Sequence, residues 1–139
     1  MKLVLSILFL LVAVFPVKAQ TDQIISIQTQ KTELVYTVDK NQKVLQVYLG
    51  EKLKNNSELS KGRTPQHEMY IPFGTSDLFE SAIRTTHNDG NPSIELKYAK
   101  IEVNKLDDNV TETIIYLKDM QYPFEVKMHF KAYFSEDVI

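Results

Sequence analysis

Side chains able to do acid–base chemistry are plentiful in this chain, but few are spaced for it. Carboxylates recur at Asp77, Glu80, Asp89, Asp107, Asp108, Asp119, Glu125, Glu136 and Asp137. A glycoside-cleaving pair must flank the scissile bond with carboxyl groups roughly 5–10 Å apart, and linear spacing selects no such pair. The histidines are His67, His87 and His129. His87 and Asp89 could supply two metal ligands from one turn, but no His-x-His or paired-cysteine spacing completes a site, so neither a metal nor a cofactor is expected. His129 falls among Lys and Glu on an alternating segment, where a solvated side chain belongs. Serines occur without a Gly-x-Ser-x-Gly frame to position a nucleophile.

One stretch offers recognition rather than catalysis. In "EMYIPFGTSDLFE", Tyr70, Phe73 and Phe79 surround Gly74, which lets the backbone turn sharply. Aromatic faces beside Asp77 suit a sugar, with its C–H surface against a ring and its hydroxyls on a carboxylate. The competing reading is an aromatic cluster that pins the loop to the body of the protein, and the residues alone favour it. Asn55 and Asn109 each open an Asn-x-Ser/Thr acceptor site, which matters only in a glycosylating host.

The elements that must position these residues are strands. "TELVYTVDKNQKVLQVYLG" reads as two strands, 32–38 and 43–49, joined by the polar tetrapeptide Asp39-Lys40-Asn41-Gln42. "HNDGNPS" is a turn leading into a strand over 94–103, and a further pair, 111–117 and 124–134, is separated by "KDMQYP". Segment 53–78 is the longest irregular region, and loops of that length are often functional. No stretch carries a helical period, and β-branched and aromatic residues dominate the periodic segments. The fold class is therefore all-β, an antiparallel β-sandwich.

The last strand raises a packing question. Its inward set is Phe124, Val126, Met128, Phe130, Ala132 and Phe134, opposite Glu125, Lys127, His129, Lys131 and Tyr133. Burying that row is worth on the order of 10 kcal/mol, comparable to the net stability of a domain. Some face must cover it.

The chain has 139 residues, 43% hydrophobic and 24% charged, which fits one ordinary globular domain. Its start differs. A basic lead at Lys2, an apolar run over 3–15 and "VKA" predict a secretory signal peptide over 1–19, cut after Ala19. A membrane anchor would need about 20 apolar residues, and Pro16 and Lys18 interrupt this run first. Removing Lys2 and Lys18 moves the formal charge from −2 to −4, which offers nucleic acid and anionic membranes no attraction. With no cysteine, an exported fold must hold by packing and hydrogen bonds alone. The expected location is periplasmic or secreted, with residues 20–139 as one β-sandwich domain.

Three stretches in order, "LVYTVDKNQKVLQVYLGEKL", "MYIPFGTSDLFESAIRTTHNDGNPSIELKY" and "LKDMQYPFEVKMHFKAYFSEDVI", closely resemble the start of family 36 glycoside hydrolases, the bacterial α-galactosidases, especially exported ones. The resemblance covers nearly all of the chain after the leader. It implies the first part of an N-terminal β-supersandwich, which in that family precedes a (β/α)₈ barrel and a small C-terminal β domain. Both catalytic aspartates of the family lie on the barrel, so the resemblance implies no catalytic residue here, an incomplete N-terminal piece, and no activity from this chain alone. The implied partner is a galactoside, met together with a catalytic barrel, and the implied assembly of a full-length parent is a homo-oligomer.

In tetrameric relatives this domain lends a loop to the neighbouring active site, and "PFGTSD" resembles that loop. Phe73 and Asp77 match its aromatic and acidic positions. Leu78-Phe79-Glu80-Ser81 stands where many relatives read Phe-Arg-x-Pro, so the arginine is missing. The alternative is a free-standing secreted carbohydrate-binding module using Tyr70, Phe73, Asp77 and Phe79, or a structural β-sandwich module.

Overall fold

The computed structural model describes residues 23–55, 59, 67–70 and 81–139. Among the described residues, seven antiparallel strands form two sheets. The first sheet orders β1 (Gln23–Gln28), β2 (Thr32–Val38), β3 (Val44–Glu51) and β4 (His67–Glu68) side by side; the second is a meander of β5 (Leu96–Lys105), β6 (Val110–Asp119) and β7 (Glu125–Tyr133). The expected strands are all present, β2 with its expected ends and the others with shifted ones, and β4 lies inside the segment expected to be irregular.

Local chemistry sets the turns. Between β2 and β3 the Asp39 carboxylate accepts the N–H groups of Asn41 (2.9 Å) and Lys43 (2.8 Å), while Gln42 adopts φ 63°, the left-handed conformation that closes such a loop. Asp107 does the same between β5 and β6, accepting from Asn109 and Val110 at 2.7 Å each. Gly90, at φ 83°, supplies the left-handed residue in the turn before β5.

Alternation then assigns the faces. Ile25 and Ile27 of β1, Leu34, Tyr36 and Val38 of β2, and Val44 of β3 form one wall of the core; Leu96, Ile115, Leu117 and Ala132 of the second sheet form the other. The Tyr36 and Phe130 rings meet across them at 5.5 Å. Gln23, at one end of β1, donates to the Tyr98 hydroxyl on β5 (3.0 Å), and Gln30, just past the other end, donates to the carbonyl of Phe134 beyond β7 (3.3 Å). Strand β1 therefore runs diagonally across the second sheet.

Strand β7 departs from expectation at its end. Its alternation holds, with Val126, Met128 and Phe130 half-buried and Ala132 buried against the first sheet, so the sheets of this chain cover much of the row. Phe134, expected to point inward, is 49% exposed, because the strand stops at Tyr133 and the backbone turns over the next four residues. Tyr133 and Val138 then exchange backbone hydrogen bonds at 2.8 and 3.4 Å. Asp137, at φ 55°, fastens this turn to the β1–β2 connection by accepting from the Thr29 hydroxyl (3.0 Å) and the Lys31 N–H (2.6 Å).

Candidate functional site

The residues expected to face a sugar, Phe73 and Asp77, lie outside the described residues, as does Phe79. The frame on either side of them is placed. Ahead of residues 71–80, β4 pairs with β3, the Met69 N–H donates to the Val44 carbonyl (2.9 Å), and Glu68 sits 3.3 Å from the Lys43 ammonium. Tyr70 follows, 5% exposed, its hydroxyl donating to the Leu96 carbonyl at 3.2 Å. Burial, reinforced by the nearby Glu68 charge, pushes its pKa up and keeps the phenol neutral. Of the two readings open for Tyr70, the core pin that the residues favoured is the one found, and the alternative of a sugar platform does not hold for this residue, since its ring is part of the core. Beyond residues 71–80, Ile83 packs on the same core and Ile94 is buried in it.

The histidine turn is occupied by its own neighbours. The His87 ring stacks on Tyr122 at 3.5 Å with the planes 5° apart, and its Nε2 lies 3.0 Å from the Ser93 carbonyl. The Tyr122 hydroxyl donates to Asp89 (2.7 Å) and accepts from the Asn91 amide (2.9 Å). The Asn91 N–H and the Tyr122 hydroxyl hold the Asp89 carboxyl below the usual carboxylate range. Burial of Asp119 acts to raise its pKa, but N–H donors from Gln121, Tyr122 and Glu95 outweigh it and leave the group lowered. Each carboxylate here serves a turn. His87 and Asp89 are not joined by a third ligand: among the described residues no group of three or more His, Cys, Asp and Glu side chains could hold a metal ion.

The solvent face of the second sheet carries an open depression lined by Ala99, Lys100, Tyr116, Lys118, Glu125 and Lys127. Both flanking ammonium groups lie over the Tyr116 ring, Lys100 at 4.3 Å and Lys127 at 5.3 Å from its centroid. The Tyr116 hydroxyl donates to Glu102 (2.8 Å), which also pairs with Lys100. A sugar would have to displace these cations to reach the ring. His129 stands on this face too, its Nδ1 3.3 Å from a Glu112 oxygen, the solvated setting expected for it.

Sequence reasoning missed one carboxylate. Glu33 is 1% exposed on the side of β2 away from the core, and accepts from the Ser26 hydroxyl (2.6 Å), the Gln28 amide (2.9 Å) and the Leu53 N–H (2.9 Å). Through that last bond it fixes where the chain leaves β3 for the long segment. Asn109 is likewise engaged: its carbonyl oxygen accepts from the Ser135 N–H (2.8 Å) and hydroxyl (2.6 Å), and its amide donates to Glu136 (2.7 Å).

No described site thus pairs two carboxylates across a free groove, and comparison with known proteins has to decide what the scaffold is. Residues 31–139 match the Glycosyl hydrolase family 36 N-terminal domain. The chain belongs to this family. Solved structures agree with the family 36 fold. The α-galactosidase from Lactobacillus brevis superposes with a TM-score of 0.68 at 15% identity, over 84% of this chain and 20% of its own. The AgaA A355E α-galactosidase from Geobacillus stearothermophilus, bound to 1-deoxygalactonojirimycin, gives 0.69 at 14% identity, over 81% and 20%. The galactosidase domain of the α-galactosidase–sucrose kinase AgaSK gives 0.67 at 19% identity, over 79% and 20%. The family 36 domain described here therefore spans about a fifth of the length of the solved chains it matches. No curated protein matched the sequence.

Proposed function

We propose that this chain is the N-terminal, non-catalytic β-sandwich portion of an exported α-galactosidase-type glycoside hydrolase, serving α-galactoside breakdown by supporting an oligomer and lending a loop to an active site. The family match over residues 31–139 carries the reading. Its support from relatives includes AgaA A355E D548N, solved in complex with raffinose. Phe73 and Asp77 are the proposed sugar-facing residues. The buried Tyr70 and the core-packed Ile83 make rigid posts from which such a loop can project. Residues 1–19 act as the export signal in this reading.

The test is reconstitution. The purified chain is assayed on an aryl α-galactoside alone, then mixed with a separately expressed family 36 barrel lacking its own N-terminal domain. No turnover is expected alone, and restored turnover is expected on mixing, reduced by Asp77→Ala. Hydrolysis by the isolated chain, or a barrel indifferent to it, would sink the reading.

A further inference from the structure

Strand β5 breaks its regularity at the place where the charges of the second sheet gather. Tyr98 stands opposite Leu117 and Lys100 opposite Tyr116, so Ala99 is an extra residue with no partner on β6. The irregularity is held in place, because the Tyr98 N–H donates to the Gln42 carbonyl (2.8 Å) and the Tyr98 hydroxyl accepts from Gln23 (3.0 Å). A bulge re-aims the side chains beside it, and bulges gather next to functional sites. Here Ala99 and Lys100 are both exposed and both line the depression on the face away from the core. Ala99 contributes only a methyl group, which leaves the space open.

The register sets what surrounds that space. Tyr116 has Lys100 opposite it on one side and Lys127 on the other, and Lys118, two residues along β6, stands opposite Glu125. Each of the three strands thus sends one ammonium group to the rim of a depression of about 480 Å³, room enough for an oxyanion and part of the molecule that carries it. Glu125 offsets Lys118 at 2.8 Å and Glu102 offsets Lys100, whereas Lys127 has no ion pair among the described residues and lies over the Tyr116 ring. The spot is net positive in a chain of formal charge −2. Its lysines and glutamates also suit the face to water, since an apolar layer laid over it would have to strip them of solvent.

The donors select the class of ligand. A carboxylate has two oxygens, and the depression already holds one in Glu125. A phosphate or sulfate group, free or esterified, presents at least three terminal oxygens on one tetrahedral centre, enough to accept from three ammonium groups together. Lysine meets such a group as a point charge on a flexible stem, so Lys100 and Lys127 can swing from the Tyr116 ring to the anion.

We propose that this depression binds a tetrahedral oxyanion, the phosphate or sulfate group of a small molecule, through Lys100, Lys118 and Lys127. This does not depend on the α-galactosidase reading. The test is a titration of the isotope-labelled purified chain, followed by amide nuclear magnetic resonance at about pH 7.5, where the lysines are charged. Inorganic phosphate, inorganic sulfate and acetate are added in separate arms at ionic strength held constant with sodium chloride. Phosphate or sulfate should give saturable shifts at Ala99, Lys100, Tyr116 and Lys127 with a dissociation constant on the order of millimolar, as a few exposed charge pairs allow. The tighter of the two names the ester class, and acetate should bind more weakly than either. Lys100→Gln and Lys127→Gln should each raise the dissociation constant roughly threefold. Lys131→Gln removes the same charge from the same strand as Lys127 but outside the depression, and should leave the constant unchanged. Shifts that grow linearly without saturating, acetate binding as tightly as the tetrahedral anions, or Lys131→Gln weakening binding as much as Lys127→Gln would each overturn the proposal.

Discussion

Glu33 is the residue where burial and charge most directly oppose one another. Burial acts to raise its pKa, but the Ser26 hydroxyl, the Leu53 N–H, the Gln28 amide and the Lys52 charge outweigh it, so the group sits below the ordinary glutamate value. A lowered folded-state pKa stabilises the native chain fully above the unfolded value of about 4.3, and the contribution is lost as pH falls through the lower folded value. Urea unfolding from about pH 7 to pH 3 should show this acid limb, and Glu33→Gln should flatten it. Glu33→Ala should cost about 2–3 kcal/mol at neutral pH, since it strands the buried donors. Tyr70→Phe should cost about 1 kcal/mol by the same measurement, for the one hydrogen bond lost. A loss near zero would place the Tyr70 hydroxyl in solvent. Neither residue's role was legible in the sequence. Alternation puts Glu33 on the solvent side of β2, and only the return of Leu53, twenty residues on, closes over it. Tyr70 read as either platform or pin, because its partner carbonyl at Leu96 lies across a segment whose path no local pattern encodes.

At the scale of elements, periodicity was the dependable signal. Strand β2 came out with its expected ends because a central strand has neighbours on both sides and few ways to slip. Strand β6 shows what that pattern is worth: Ile115 is 0% and Leu117 1% exposed. Ile115→Ala should destabilise by about 2–5 kcal/mol in equilibrium denaturation, depending on how far the cavity relaxes. The end of β7 was misjudged because Phe134 continues the apolar alternation while the turn after it depends on distant partners, Thr29 and Lys31. Asp137→Ala should cost about 1–2 kcal/mol through those lost bonds, and hydrogen exchange should rise at Tyr133 and Val138 more than in β6. Equal exchange at all three would show the turn to be energetically idle.

For the whole molecule, the main core among the described residues is one that the two sheets share. Buried residues of β1, β2 and β3 pack in one cluster with those of β5, β6 and β7, so the chain should unfold in one cooperative step. Far-ultraviolet circular dichroism and tyrosine fluorescence, the chain having no tryptophan, should report the same midpoint; two separated midpoints would show that one sheet stands without the other. The all-β class and the family were legible because both rest on ordered, alternating segments that survive in sequence. The candidate sugar-facing residues, Phe73 and Asp77, rest on residue type and resemblance and lie outside the described residues.

The engagement of Asn109 bears on how the protein can be made. Its amide nitrogen is the atom to which a eukaryotic secretory host attaches an oligosaccharide, and that attachment occurs while the polypeptide is still emerging. A glycan there would stand where Glu136 is bound and would prevent the closing turn from seating. Val138 would then leave Tyr133, freeing one pair of backbone hydrogen-bonding groups at the end of β7. Material from such a host should therefore clump where bacterially produced material does not, and replacing Thr111, the third residue of the acceptor triplet, by valine should remove the difference.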